Sequence, residues 1–367
     1  MKDSKLKLEI FRGQSGFDKI VKLWNSLFQS LKKTVYTQSP TWHSAYIEHL
    51  CTDPDSCYYF CIFQNDKLIA IFPFEQTNHR YFLFRLKSLS FSEHSHFGIN
   101  SIVVADEEDA QYLFNFLYNN LKNQKTIKWN IIYLEQALDG MSTSSCMVYD
   151  ENLLLESVSS SCDVLSIQNQ EKTESRLTKN FKNNLKKSRK KLLKLDNVEY
   201  RTCTEKQNMD VCFEQFLTVE ASGWKGAEGK SSAIKLNSNL REFYKQVMVG
   251  FSGSGQMEIN TLMVNERPIA VQYAIILAST VFLLKIGYDE NFSKVSPGNM
   301  LLEEKLKSYL DQPQLKYVNL ITDAPWHRSW QPEVVNAKNI YNCRNRFIAM
   351  YIKMMISIRK IVHSFKK

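Results

Sequence analysis

The feature that most constrains the fold of this 367-residue chain is an internal repeat. The hexapeptide NDKLIA at 65–70 returns as NERPIA at 265–270, 200 positions later, with like charges at its second and third positions. In each copy a polar pair separates two apolar stretches, which predicts a β-hairpin. Hairpin turns favour Asn and acidic residues in any protein, so the neighbouring elements must decide whether the repeat is a duplication.

Hydrophobic periodicity predicts the same order of elements around both hexapeptides. The first half has predicted strands at 6–11, 57–63, 67–74, 81–91 and 127–134, and helices at 17–33, 39–50 and 106–123. The second half has predicted strands at 198–203, 257–264, 268–277, 280–289 and 317–322, and helices at 206–222, 237–251 and 299–310. Both halves therefore have the order β-α-α-β-β-β-α-β, which predicts two duplicated α/β domains with mixed sheets.

The predicted domains are 1–155 and 175–343, joined by a serine-rich linker at 156–174 and followed by a helix at 344–367. The uncharged run 268–284 is short for a membrane span, and a break at 278–280 favours a buried hairpin. The first residues lack the apolar region of a signal peptide, and the eight cysteines are not spaced as metal ligands. We therefore expect a cytoplasmic protein with reduced thiols and no metal site.

The net charge of +9 is distributed unevenly along the chain. Residues 1–160 carry a net charge of −3 and residues 161–367 carry +12. Segment 176–194 has nine basic and no acidic residues, and segment 344–367 has seven basic and none acidic. Both segments have amphipathic helical spacing. The first suits a phosphorylated donor, a nucleotide- or lipid-linked acceptor, or a membrane, and the second suits either a membrane interface or packing on its own domain.

The two copies differ where the last helix of each begins. The first copy has four carboxylates at 106–109, whereas the second has no acidic residue from 291 to 302. An open helix N-terminus binds anions through its free N–H groups and its dipole. Only the second copy is predicted to hold a phosphorylated co-substrate, and a plain strand-to-helix turn is the structural alternative. The residues of this predicted site are Lys294, Val295, Ser296, Pro297, Gly298 and Asn299.

This element order resembles that of the GNAT acyltransferases, and four motifs are similar to FemAB-related members, especially the CelD-like (BioF2-like acetyltransferase) subgroup. The motifs are the basic helix 177–190, WKG at 224–226, YDE at 288–290 with SPG at 296–298, and Asp323 followed by HRSW at 327–330. The resemblance implies two tandem GNAT-like domains, of which the first is degenerate. It also implies acyl-CoA, or an acyl-carrier protein, as co-substrate and no tightly bound cofactor.

The resemblance implies catalytic residues at the ends of two strands of the second copy. Asp323 would take the proton of an attacking amine or hold its ammonium group, and His327 would serve as a base. Tyr288 would protonate the leaving thiolate, and its neighbour Asp289 is also expected among the catalytic residues. The structural alternatives are a turn cap for Asp323, a solvated loop position for His327 and core packing for Tyr288.

Two loops are candidates for contact with the acceptor. Trp224, Lys225 and Gly226 follow a predicted helix, and they would close over a substrate or simply terminate that helix. His94 and His96 lie in the first copy, in the loop where a phosphate would have bound, and are either acceptor contacts or exposed loop residues.

The function predicted from these features is transfer of an acyl group to a primary amine. The resemblance implies an amino sugar or amino acid of a surface polysaccharide or glycoconjugate as acceptor. One alternative is a FemAB-type aminoacyl-tRNA-dependent transferase, although the long coiled-coil insertion of such enzymes is missing; nucleic acid is otherwise not an expected partner. The other alternative is a non-catalytic pair of domains that binds membrane or nucleic acid, and segment 344–367 would hold either kind of protein at the inner face of a membrane.

Overall fold

The computed structural model describes residues 6–81, 84–92, 94, 96–167, 176–223, 225–226 and 228–364, with the backbone alone at 79–81 and 359–364. The chain divides into two compact units. The first unit comprises residues 1–40, 52–161 and 335–367, and the second comprises 41–51 and 162–334. The units therefore exchange segments, which a division into consecutive domains at 155 and 175 does not anticipate.

The thirteen strands among the described residues are β1 (Leu6–Arg12), β2 (Cys57–Gln64), β3 (Lys67–Tyr81), β4 (Phe84–Ser90), β5 (Val103–Val104), β6 (Ile131–Leu138), β7 (Leu154–Ser166), β8 (Val198–Cys203), β9 (Met257–Val264), β10 (Arg267–Leu277), β11 (Thr280–Tyr288), β12 (Tyr317–Asn319) and β13 (Glu333–Cys343). The α-helices are α1 (Gly13–Ser30), α2 (Pro40–His49), α3 (Ala110–Asn123), α4 (Lys179–Leu192), α5 (Met209–Glu220), α6 (Ser238–Ser252), α7 (Pro297–Leu310) and α8 (Arg346–Ser364).

Each unit is built on a mixed sheet with the same topology. In the first unit the order is β1-β2-β3-β4-β6-β13, where only β4 and β6 run parallel and β5 adds to β3. In the second unit the order is β8-β9-β10-β11-β12-β7, where only β11 and β12 run parallel. The mixed α/β class predicted from the sequence is confirmed.

The sixth strand of each sheet comes from the other half of the sequence. Residues 164–166 of β7 pair with β12 in the second unit, and residues 337–343 of β13 pair with β6 in the first. The predicted linker 156–174 is therefore wrong up to residue 166, because its alternating residues pair as a strand, and 168–174 lie outside the described residues. Strand β13 was not predicted.

The repeated hexapeptides form equivalent hairpins with equivalent irregularities. Asn65 and Asp66 have φ of 47° and 60°, and Asn265 and Glu266 have 48° and 62°, the left-handed pair that a two-residue hairpin needs. Just beyond each turn the register shifts by one residue, so that position 69 or 269 is the extra residue of a bulge. A shared bulge 200 positions apart is strong evidence of duplication, because it is not required for a hairpin.

The fourth strand of the repeat is continuous in the second unit and interrupted in the first. The parallel pairing ends at Ser90 in the first unit and at Phe282 in the second, after three residue pairs in each. Antiparallel pairing then resumes with Val104 opposite Ala70, as Tyr288 stands opposite Ala270. Residues 91–102 of the first unit therefore stand where residues 283–286 stand in the second.

Each unit has its own apolar core. In the first, α3 packs on β2, β3 and β6 through side chains such as Leu117 and Phe72, and α8 covers a smaller cluster that includes Ile131. In the second, α4 and α7 pack together on one face of the sheet, where Leu185 and Leu301 are buried. These contacts fix α7 at the end of β11, where the predicted site lies.

Candidate active site

The site begins at the connection between β11 and α7. Asp289 caps the 3₁₀ helix Glu290–Val295 through a hydrogen bond from the Asn291 backbone, and its carboxylate also pairs with Arg267. Asp289 is buried and engaged on both oxygens, so it has a structural role and the prediction of a catalytic role is not supported. The buried side chain of Val295 belongs to the apolar core.

Helix α7 starts without a side-chain cap. Ser296 has left-handed backbone angles (φ 50°, ψ 56°), and its hydroxyl does not bond to the first turn of the helix. Pro297 occupies the first helical position, so the N–H groups of Gly298 and Asn299 are the donors at this end. A Cβ atom at Gly298 would meet only Tyr288 within 4 Å, at 3.8 Å, so the space beside the helix start is open.

The basic helix α4 lies alongside this helix start. The Ser188 hydroxyl is 3.2 Å from that of Ser296, and the Lys191 ammonium is 3.4 Å from the Lys294 carbonyl oxygen. Arg189 forms an ion pair with Glu303, the first acidic residue of α7. The exposed lysines of α4 therefore add positive potential to a helix end that already favours an anion. They are Lys179, Lys182, Lys186, Lys187, Lys190 and Lys191, and Lys294 beside them is also exposed.

Among the described residues, no strand pairs with the β12 side of β11 directly before this connection. The pairing of β11 with β12 covers only residues 280–282, while its pairing with β10 continues to Tyr288. On the β10 side the register shifts so that Tyr273 faces Lys285 and Ala274 faces Leu283, which leaves Leu284 in a bulge. A bulge next to a short neighbouring strand leaves backbone groups able to bind a ligand.

The predicted catalytic residues after β12 lie in very different surroundings. Asp323 is exposed in the turn after the strand. His327 is only 2% exposed, and its Nδ1 atom is 2.8 Å from the Asp163 carboxylate. Burial lowers the pKa of His327, against the opposing effect of Asp163. The structural alternative of a solvated loop position for His327 is therefore wrong, and its contact with Asp163 anchors the loop that carries Asp323.

Asp163, the partner of His327, is a residue that the sequence interpretation missed. It lies on β7, within the segment predicted as a linker, and its backbone bonds to Leu320 and Thr322. A single acidic residue near the end of a strand-like run of alternating residues was the sequence signal that could have identified it. Tyr288, by contrast, is 40% exposed at the end of β11, so it is available to a ligand rather than packed in the core.

A second group of charges lies on the face of β11 opposite α7; of its members, Lys225 was named from the sequence, whereas Glu220 and Lys285 were missed. The Lys225 ammonium is 3.2 Å from the buried Glu220 carboxylate and 2.9 Å from the Ile286 carbonyl oxygen. Burial, together with the Lys225 charge, lowers the pKa of the nearby Lys285 to about 7, although Glu220 opposes this. Lys285 also lies 5.8 Å from the ring centroid of Tyr244 on α6. A single lysine in the apolar strand VFLLKIGY was the available sequence signal.

Glycines allow the backbone to approach this cluster closely. A Cβ atom at Gly287 would lie 2.7 Å from the Glu220 Cα atom, and one at Gly226 would lie 2.2 Å from the Ala221 carbonyl oxygen. Of the predicted acceptor contacts, Lys225 and Gly226 therefore belong to a tightly folded loop at the Glu220–Lys285 cluster. Trp224 lies outside the described residues.

His94 and His96 belong to the first unit. Their rings are 5.3 Å apart and both are half-buried, and His94 also contacts Phe97. They lie in segment 91–102, which replaces part of a strand, and not at the helix start where a phosphate would bind. The predicted location of these two histidines in the phosphate loop is therefore wrong.

Comparison with known proteins supports the fold and indicates the type of reaction. Residues 179–328 match the profile of the acetyltransferase (GNAT) domain family. The search of curated proteins gives no match to this chain. The matched residues include both α4 and the β11–α7 connection. The second unit is therefore a GNAT-type domain, and its activity is that of an acyltransferase.

Solved structures with the same fold cover nearly the whole chain. FemX has a TM-score of 0.60 at 7% identity, over 88% of this chain and 96% of its own. A conserved protein of unknown function from Bacteroides thetaiotaomicron has a TM-score of 0.57 at 12% identity, over 88% and 97%. L-PGS from Bacillus licheniformis has a TM-score of 0.50 at 9% identity, over 95% and 99%. At these identities the likeness establishes the fold.

Proposed function

We propose that the second unit transfers an acyl group from acyl-CoA, or an acyl-carrier protein, to a primary amine, as in the CelD-like subgroup that the sequence resembles. The observation that carries this proposal is the uncapped start of α7 beside the basic helix α4. Such a site suits the pyrophosphate of a CoA donor, because free N–H groups, the helix dipole and lysine side chains all favour the same anion. The resemblance suggests an amino sugar or amino acid of a surface polysaccharide or glycoconjugate as acceptor.

The proposed donor runs from the α7 start along the free edge of β11. The N–H groups of Gly298 and Asn299 would bind the pyrophosphate, and Lys187 and Lys191, one turn apart on α4, would neutralise its charge. Beyond Phe282 the edge of β11 is open, so an extended pantetheine chain could bond to it as an added strand would. The thioester would then reach the bulge at Leu284.

The chemistry forms a C–N bond, breaks a C–S bond and moves two protons. The acceptor ammonium must lose one proton before its nitrogen can attack the thioester carbonyl, and the nitrogen loses a second as the amide forms. The thiolate that leaves gains one of these protons, and the other is released to solvent. Lys285, which is neutral in part at pH 7, is the proposed proton acceptor, and the Glu220 carboxylate would stabilise its charged form. Tyr288, on the opposite face of the strand, is the proposed donor to sulfur, and Asp323 would hold the acceptor.

Titration calorimetry with acetyl-CoA, CoA and pyrophosphate tests the donor site. The double substitution Lys187→Glu and Lys191→Glu should weaken CoA binding at least tenfold, since about 1 kcal/mol is associated with each such charge near an anion. Lys316→Glu, an exposed lysine before β12, is the matched control and should bind normally. No heat with any ligand, or equal affinity in all variants, would remove the donor assignment.

Turnover tests the reaction itself. A panel of amino sugars and amino acids with acetyl-CoA and longer acyl-CoAs should yield free thiol and an N-acyl product by mass spectrometry. Asp323→Asn should lower turnover without changing CoA affinity, and an enzyme with undiminished turnover would remove the role of Asp323. Binding of CoA without turnover on any amine would favour a non-catalytic module.

Aminoacyl-tRNA is the second candidate donor, favoured by the row of exposed lysines on α4. Such binding would track phosphates and would weaken steeply as salt rises. Ribonuclease treatment that abolishes transfer would select this candidate, and transfer that survives the treatment would exclude it. Mass spectrometry of material that co-purifies with the protein distinguishes acyl-CoA, acyl-phosphopantetheine and RNA directly.

A further inference from the structure

Helix α8 of the first unit has an exposed apolar stripe. Its inner face is buried: Ala349 and Ile352 lie in a cluster on β6 and β13, and Met355 is also buried. Its outer face carries four large apolar side chains at spacings of three and four residues, which places them in one row. They are Phe347 (81% exposed), Met350 (68%), Met354 (49%) and Ile358 (42%), and we call this row the α8 stripe.

A basic band runs beside the α8 stripe. Arg346 and Lys353 are exposed and lie about 85 to 105° around the helix axis from the centre of the stripe, on the side away from Tyr351. Segment 344–367 has no acidic residue. The outer face of α8 is therefore apolar along one half and positive along the other, whereas a solvated helix face would normally mix both signs of charge.

The neighbouring hairpin extends this surface. Phe84 at the start of β4 is 57% exposed, and its ring lies 5.1 Å from that of Tyr351 at an interplanar angle of 86°. The next residue, Arg85, is also exposed. A second element thus repeats the pairing of an exposed aromatic ring with a positive charge.

We propose that the α8 stripe and Phe84 dock on an anionic lipid surface. Long apolar side chains next to basic residues, on a helix that itself has no acidic residue, match the two layers of a membrane interface, where acyl chains lie beneath anionic headgroups. Among the described residues no helix is long and apolar enough to cross a membrane. The helix would therefore lie in the interfacial plane, and its binding would be reversible and sensitive to salt.

Charge complementarity selects lipid over the other occupants of such a surface. A nucleic acid would use the basic band but would leave the stripe exposed to water. A second copy of this face would bury the stripe but would bring its basic bands together. Of these three occupants, only an anionic lipid surface would both cover the α8 stripe and neutralise the basic band.

Co-sedimentation with vesicles tests the proposal on the full chain. We expect binding to vesicles of phosphatidylcholine with 30% phosphatidylglycerol, at least tenfold weaker binding to pure phosphatidylcholine, and loss of binding in high salt, since each basic residue near an anionic surface is associated with about 1 kcal/mol. Lys353→Glu should weaken binding to the anionic vesicles about thirtyfold, and Met354→Glu at least tenfold. Lys125→Glu and Tyr112→Glu are exposed controls on and after α3, and they should bind normally.

Thermal unfolding and CoA affinity of each variant check that the fold and the second unit are intact, so the outcome does not depend on the proposed enzymatic function. Equal binding to neutral and anionic vesicles would overturn the role of the basic band. Binding to neither, with Met354→Glu converting a dimer to a monomer in gel filtration, would show that a second copy covers the stripe. Retention by DNA but not by vesicles would also overturn the proposal.

Discussion

The two units use the same strand-to-helix junction in opposite ways. In the first unit, segment 91–102 fills the space beside the interrupted strand, where the Phe97 and Ile102 carbonyl oxygens accept hydrogen bonds from Tyr36 and Gln38. In the second unit, residues 283–286 carry the strand straight through and contribute a bulge and Lys285 instead. One copy is closed by its own chain, whereas the other leaves a strand edge open.

The N-termini of α3 and α7 also differ, because a side chain caps the first and none caps the second. The Asp109 carboxylate accepts hydrogen bonds from the Gln111 and Tyr112 backbones and so occupies the N-terminus of α3. Ser296, in the equivalent place before α7, makes no such bond. The Asp109 carboxylate is therefore the anion at the start of α3, whereas the start of α7 can bind an anionic group of a ligand. The first copy is predicted to be degenerate, and two features would account for that: the interrupted strand and the occupied helix end.

The largest expected effect comes from removing Lys285, a side chain that the first copy lacks, since segment 91–102 contains no lysine. Lys285→Met should lower kcat/KM about 100-fold or more, because a general base typically contributes that much. CoA affinity should not change. Wild-type kcat/KM should rise with pH to a plateau above about 7, where Lys285 loses its proton, and in the variant this rise should move to the pKa of the acceptor amine.

Initial rates of thiol release across pH 5.5–9.5, with the acceptor found by screening, measure this. Lys285→Arg should be as slow as Lys285→Met because it stays protonated. The exposed Lys316→Met should keep both the rate and the pH profile of the wild type. If the pH profile of Lys285→Met were the same as that of the wild type, Lys285 would not be the general base.

The next effect comes from giving the second copy the cap of the first. Ser296→Asp would place a carboxylate at the α7 start, as Asp109 does at α3, and Asp tolerates left-handed backbone angles. We expect CoA affinity to fall about 30-fold in calorimetry, from competition and repulsion. Ser293→Asp adds the same charge to the preceding 3₁₀ helix and should have a several-fold smaller effect. Equal effects of the two would mean that overall charge, and not the helix end, determines donor binding.

Stability should report the buried environment of Lys285 independently of activity. The pKa of Lys285 is about 7 in the folded protein, against an ordinary value of 10.5 in the unfolded chain. Below pH 7 both states are protonated and the folded state carries the full cost of burying the charge. Between pH 7 and 10.5 the unfolded chain binds more protons, so wild-type stability rises with pH.

Lys285→Met removes this cost, so it should be more stable than the wild type by roughly 1 to 2 kcal/mol at pH 6. The difference should shrink as the pH rises from 7 towards 10.5. Urea unfolding at pH 6, 8 and 9.5 measures it, with Lys316→Met as a control in which no pH-dependent difference develops. A constant difference between variant and wild type would mean that Lys285 is well solvated.

The sequence predicted the duplication and the difference between the two helix starts because both depend on local chemistry. Turn residues, helix periodicity and the carboxylates at 106–109 act over a few positions. The exchange of β7 and β13 could not be predicted in this way. Which strand completes a sheet depends on pairing between residues far apart in sequence, and the serine-rich β7 has a composition typical of a linker.

The site was predicted only in part for the same reason. Residues 294–299 form one local connection, and the structure keeps them together at the α7 start. The resemblance implies catalytic roles for His327 and Asp289, but their partners Asp163 and Arg267 come from other strands and are not visible in the local sequence. Lys285 was overlooked because its pKa is set by burial and by Lys225, neither of which is visible in a strand of seemingly ordinary composition.

The smallest expected effect makes the comparison of the two helix starts quantitative. Asp109→Ala removes a cap that accepts two backbone hydrogen bonds and should lower the free energy of unfolding by about 1 kcal/mol, without changing CoA affinity. Ser296→Ala removes no cap bond and loses only the contact with Ser188, so its stability should change by less than about 0.5 kcal/mol. Urea unfolding of both variants, with calorimetry beside it, measures the pair. If Ser296→Ala proved as destabilising as Asp109→Ala, the hydroxyl of Ser296 would be a working cap, and the open helix end that distinguishes the second copy would not exist in solution.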